Sequence, residues 1–132
     1  MKRLPWSLLL VSTAVSAGLF DQPYSIIQSD PLRSPDPLLR AVIVNRVDDR
    51  NALPDNRAVV DPGRHAVTID LPPRKGFHTA TQTTFELETK PCTRYYVAAR
   101  LESQTSQRWT AVVRSEEPIG ECAAKFSIAG AK

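Results

Sequence analysis

Between Gly63 and Pro72 the side chains alternate without a break. His65, Val67, Ile69 and Leu71 fall on one side, and Arg64, Ala66, Thr68 and Asp70 on the other. A period of two places each set on one face of an extended chain, so this run predicts a half-buried strand. A strand with one apolar face needs a second layer to cover it. Ala58-Val59-Val60 and then Asp61-Pro62-Gly63 lead into the run. Proline presets φ for a turn and glycine supplies the positive φ that follows it, as in a type II turn. Pro72-Pro73 ends the strand, since proline gives a ladder no donor.

The same grammar repeats along the chain. Leu39 to Val47 is β-branched and predicts a strand, and Asp48 to Arg57, with Pro54, a loop. Residues 74–82 are irregular. Thr84 to Thr89 alternates with Phe85 and Leu87 inward. Thr93 to Leu101 sets Tyr95, Val97, Ala99 and Leu101 against Arg94, Tyr96, Ala98 and Arg100. A polar connection at 103–107 predicts a hairpin, with Arg108 to Arg114 returning antiparallel. Lys125 to Ile128 reads as a last short strand. Beyond the N-terminal leader no window of eleven residues carries a helical apolar period. The predicted class is all-β, a small antiparallel sandwich of Ig-like layout.

The N-terminus has the three-part order of an export signal: Lys2 and Arg3, an apolar stretch from Leu8 to about Ala17, and small residues at Val15-Ser16-Ala17. Cleavage is expected after Ala17, with Ala14 as a second position. The apolar stretch is interrupted by Ser12, Thr13 and Ser16 and falls short of the roughly 20 residues of a bilayer span. The mature chain is therefore expected to have no transmembrane segment and to work in the periplasm or outside the cell. Residues 18–37 read as a proline-rich arm, because Pro23, Pro31, Pro35 and Pro37 hinder ladder formation, and residues 38–132 as the sandwich domain.

Removing the leader also changes the charge. The full chain has 17 Lys and Arg against 14 Asp and Glu; loss of Lys2 and Arg3 leaves 15 against 14. Nucleic-acid binding needs a concentrated basic face, and this near-neutral chain with scattered cations offers none. Cys92 and Cys122 are the only cysteines. In an exported chain an even number favours a disulfide.

From Val60-Asp61-Pro62-Gly63-Arg64-His65 to Ala66-Val67-Thr68-Ile69 the chain resembles the turn-and-strand signature of PEGA-type domains. These are small extracytoplasmic β-sandwich modules. Phe85-x-Leu87, Pro91-Cys92-Thr93-Arg94-Tyr95-Tyr96, Trp109 and Glu117-Pro118-Ile119-Gly120-Glu121-Cys122 resemble exported bacterial proteins of unknown function. The resemblance covers residues 58–122 and implies a PEGA-like fold and a compartment, without an activity.

Catalytic equipment is sparse. His65 falls on the apolar face of its strand and reads as a packed or edge histidine satisfied by a neighbouring carbonyl, rather than as a general base. His78 lies in a polar loop. Both could join Asp61 or Asp70 around a metal, but the spacing does not require it. Glu86 and Glu88 look like a solvated strand face, and Asp48-Asp49 and Glu116-Glu117 like loop charge. There is no G-x-S-x-G, no activated thiolate setting and no glycine loop for a phosphate, so no catalytic, metal or cofactor-binding residue is assigned.

Arg94, Tyr96 and Arg100 share the face opposite the predicted core. They form a candidate interaction patch unless a second sheet covers them, since Tyr and Arg are enriched at interfaces. Trp109 is expected in the core or against the disulfide. The expected function is a non-catalytic binding or accessory structural module of the bacterial envelope, with a protein or envelope component as partner. The alternatives are a secreted inhibitor or effector acting through an exposed loop such as 72–82, and a small hydrolase with a carboxylate site.

Overall fold

A computed structural model describes residues 21–33, 35–73 and 81–127. The predicted leader, His78 and Ile128 lie outside these residues, as does most of the 72–82 loop. The described chain contains β1 (Ser25–Ser29), β2 (Leu39–Arg40), β3 (Ile43–Val47), β4 (Arg50–Asn51) and β5 (Ala58–Val60). There follow β6 (Gly63–Leu71), β7 (Thr81–Thr89), β8 (Thr93–Leu101), β9 (Trp109–Pro118) and the helix α1 (Gly120–Phe126). One sheet has the order β2-β8-β1-β5, with β9 on the other edge of β8; the second has the order β4-β3-β6-β7. The protein is mostly β, in two sheets, with one disulfide.

The alternation in β6 does what its period requires. Val67, Ile69 and Leu71 are buried with Val44 and Val47 of β3 against Ile27, Val97, Ala99 and Leu101 of the facing sheet. The Pro-Gly turn has a different role from a hairpin. β5 pairs with β1 in the first sheet, whereas β6 pairs with β3 and β7 in the second. Asp61-Pro62 therefore carries the chain across the sandwich. Gly63 has φ +135° with nothing near the position of a Cβ, so the demand for glycine is one of backbone conformation and not of space.

Trp109 packs against the main core, and its indole Nε1 donates to Thr81 Oγ1 at 2.8 Å, linking β9 to β7. Trp109→Phe keeps most of the apolar contact and removes this donor. A loss of about 1 kcal/mol in urea-induced unfolding is expected; an unchanged midpoint would show that the bridge contributes nothing.

The N-terminal segment departs from the sequence reading. Ser25–Ser29 lies inside the first sheet, antiparallel to β5 and parallel to β8, with Ile27 opposite Tyr95. Pro23 and Pro31 flank this strand instead of interrupting it, so every position from 25 to 29 keeps its N–H. Two backbone bonds at the edge of β8 bracket the proline-rich stretch. Asp30 N donates to Val97 O at 2.8 Å before it, and Leu101 N donates to Leu38 O at 2.7 Å after it. β2 then pairs farther along the same edge, with Leu39 opposite Arg100.

The C-terminal segment departs too. Lys125 and Phe126, expected in a strand, form the last turn of α1, which ends at Ser127 in the left-handed region. Cys122 and Ala123 of this helix bury against Tyr24, Ile26, Cys92 and Ile119, with Val59 and Phe126 packed alongside. This second core lies on the face of β1 opposite Ile27. The Cys92–Cys122 disulfide, with Cα atoms 5.3 Å apart, ties the helix to the turn before β8. Cys92 N donates to Tyr24 O at 2.7 Å and Ile119 N to Cys92 O at 2.8 Å, so helix, turn and first strand form one knot.

Candidate binding site

Pairing with β1 and β9 sets Arg94 beside Ile26 and Glu117, and Tyr96 beside Gln28 and Ser115. Both residues therefore lie on the outer face of the first sheet, next to the helix-covered core. Among the described residues no second sheet covers them. Tyr96 Oη donates to Glu117 Oε1 at 2.6 Å, and Arg94 Nη1 donates to the same oxygen at 3.1 Å. The Tyr96 hydroxyl and then the Arg94 guanidinium hold the Glu117 carboxyl below its ordinary range despite some desolvation, with Arg33 adding to the effect. Its hydrogen bond to Glu117 in turn raises the Tyr96 phenol. Among the described residues, Arg94 Nε is buried without a partner.

A bulge completes the site. Tyr96 is opposite Ser115 and Val97 is opposite Val113, so Arg114 is the extra residue of β9. Bulges re-aim side chains at sheet edges, and Arg114 Nε reaches Asp30 Oδ2 at 3.3 Å. Asp30 Oδ1 also accepts from Leu32 N at 2.9 Å, a local turn that leads towards Arg33. The result is an open cleft of about 430 Å³ lined by Asp30, Pro31, Arg33, Tyr96, Arg114, Ser115 and Glu117.

No family model, curated protein or solved structure matches the chain.

Of the three patch residues expected from sequence, Arg94 and Tyr96 meet at Glu117. Arg100 does not join them: it is exposed at the far end of β8, opposite Thr110 and Leu39. Four residues of extended chain separate it from Tyr96 by roughly 13 Å. Glu117, which reads as loop charge in the sequence, is the centre of the site, and Asp30, Arg33 and Arg114 are additions from structure. The β9 bulge that recruits Arg114 has no sequence signature, because nothing in Val113-Arg114-Ser115 marks an unpaired residue.

A second hollow, about 420 Å³, lies among the β3–β4 turn, β5 and the Asp61 corner. His65 is on its wall with a side chain 13 % exposed. Its Nδ1 lies 2.8 Å from Asp48 Oδ2 and its Nε2 2.5 Å from Asp61 O. The expected carbonyl partner is present, and Asp48 is a partner the sequence does not announce. Both ring nitrogens of His65 are thus engaged within the fold. Three of the carboxylates considered above are engaged as well: Asp70 accepts from Asn45 at 2.7 Å and Gln82 at 2.8 Å, Glu86 pairs with Arg64, and Glu116 with Lys90. No group of three or more metal-ligating side chains occurs among the described residues.

Proposed function

We propose that the protein is an exported, non-catalytic binding module of the bacterial envelope that holds a protein or envelope component in the β8–β9 cleft. The observation that carries this reading is the Arg94–Tyr96–Glu117 cluster, built on paired strands and flanked by Arg33 and Arg114. Aromatic and guanidinium groups on a rigid sheet resemble the anchors of protein interfaces, where side chains ordered in advance lose little entropy on binding. The Cys92–Cys122 bridge supports an oxidising compartment. Among the described residues no helix is long and apolar enough to cross a membrane.

The test is affinity capture from the native envelope with the mature oxidised chain, followed by titration calorimetry with each captured component. Tyr96→Ala with Arg33→Ala is expected to weaken binding by about 30-fold or more, the scale of one interface anchor of 2 kcal/mol. Arg100→Ala should leave affinity unchanged. Equal loss from Arg100→Ala, or none from the cleft variant, would place the contact surface elsewhere.

A further inference from the structure

His65 occupies an unusual position for a residue whose charge changes near neutral pH. Its two ring nitrogens face two groups that only accept hydrogen bonds: the Asp48 carboxylate at 2.8 Å and the Asp61 carbonyl at 2.5 Å. Asp48 is itself fixed. Its Oδ1 accepts from Ala66 N at 2.9 Å, and its own N–H donates to Ala66 O at 2.7 Å. A neutral imidazole has one N–H and one lone pair. In this setting the lone pair would have to face an oxygen at hydrogen-bond distance, which is repulsive. Only the imidazolium satisfies both contacts.

We propose that His65 is a pH-operated latch: when doubly protonated it pins the Asp61-Pro62 corner to the β3–β4 turn, and on losing one proton it releases the corner. The charge-assisted bond to Asp48 is the stronger of the two. The proton is therefore lost from Nε2, and the Asp61 carbonyl moves away. That carbonyl then retains the Thr89 hydroxyl, which lies 3.2 Å from it and also 3.2 Å from Gly63 O. The corner links the two sheets and walls the 420 Å³ hollow, so its release changes the shape of that hollow.

The surrounding charges support the protonated state. Asp48 of the turn and Asp61 of the corner act on the ring, Arg50 of β4 acts on Asp48, and Asp49 lines the same hollow. Along β6 and β7, Arg64 is paired with Glu86, and Glu88 lies across from Arg64. Burial lowers the His65 pKa, but the bonds to Asp48 and the Asp61 carbonyl outweigh it and the net shift is upward from 6.5. His65 hydrogen bonding, followed by the Ala66 N–H, lowers Asp48 from 3.8. For His65, stability is fully present below the unfolded pKa and lost as pH rises through the higher folded value. For Asp48, stability is present above its unfolded pKa and lost as pH falls through the lower folded value. The latch is at full strength between about pH 4 and 6.5.

The experiment is an NMR titration of the oxidised protein from pH 5 to 9, with His65→Gln used to separate the His65 ring signals from those of His78. The expected result is a His65 midpoint above 6.5 with both ring nitrogens protonated at pH 6. The amides of Asp61 and Gly63 should shift at that same midpoint, and Gly63 should exchange faster with solvent above it. His65→Gln should abolish these amide shifts. Asp48→Asn, which keeps an acceptor for Ala66 N–H and removes the charge, should lower the His65 midpoint. A singly protonated ring at pH 6, a midpoint at or below 6.5, or amide shifts that persist in His65→Gln would each overturn the latch.

Discussion

Ile27→Ala is expected to lower the free energy of unfolding by about 2–5 kcal/mol, the range for removing a large aliphatic side chain from a packed core. Ile27 is 0 % exposed and lies between the sheets with Val44, Val67, Ile69 and Val97. Single domains are stable by about 5–15 kcal/mol in total, so this one change removes a substantial part of the stability. Urea unfolding followed by tryptophan fluorescence reads the shift in midpoint, and Ile43→Ala serves as a control. Ile43 is also a strand isoleucine but is 40 % exposed, so its loss should cost under about 1 kcal/mol. The comparison separates a strand from an arm. If residues 25–29 were a tether outside the domain, Ile27→Ala would leave the midpoint where it was.

Replacing both Cys92 and Cys122 by serine is expected to cost about 3–4 kcal/mol on the loop-closure model, for a bridge spanning 30 residues. The same variant should show where the bridge acts. α1 has seven residues, and isolated helices shorter than about 12–15 residues are marginal in water. Without the bridge the helix loses its tie to the turn before β8, and Tyr24 and Ile26 lose their cover. Hydrogen exchange should therefore accelerate first at 120–126 and at 24–26, before β6 or β8 responds. Uniform acceleration across both sheets would mean that the bridge supports the whole fold without a local role. Alkylation of the untreated protein provides a direct check: two reactive thiols would show that the bridge is not formed.

The elements legible in the sequence are those whose periodicity is local. The apolar positions of β6, β7 and β8 alternate over enough residues for the pattern to stand out; the structure buries Val67, Ile69 and Leu71 of β6 and Tyr95, Val97, Ala99 and Leu101 of β8, and half-buries Phe85 and Leu87 of β7. β1 is harder to read because Ser25-Ile26-Ile27-Gln28-Ser29 is buried on both faces and does not alternate. The neighbouring prolines also give their usual warning, although none of them falls inside the strand. α1 escapes for a different reason. Seven residues make barely two turns, too few for a helical period, and its stability comes from Cys122 and the apolar cover over Ile26. In the candidate site, Arg94 and Tyr96 follow from strand phase alone. Glu117 depends on how far β9 continues beyond Arg114, and Asp30 and Arg33 on a segment that returns to β8 from a distant part of the chain. His65 shows the same division: its face and carbonyl partner are readable from the strand, while Asp48 is brought in by the pairing of β3 with β6.

The parallel match of β1 with β8 also sets an order of assembly. Ile27 and Tyr95 are neighbours in the sheet, yet most of the chain lies between them. Closing so long a loop has an entropic cost that grows with length, and such distant pairings slow folding. On an emerging chain β5 can reach β1 early, but the other edge of β1 has to wait until the strand after Cys92 is available. The first of the described strands is thus among the last to be enclosed. A chain delivered N-terminus first cannot complete its sheet until most of its length has arrived.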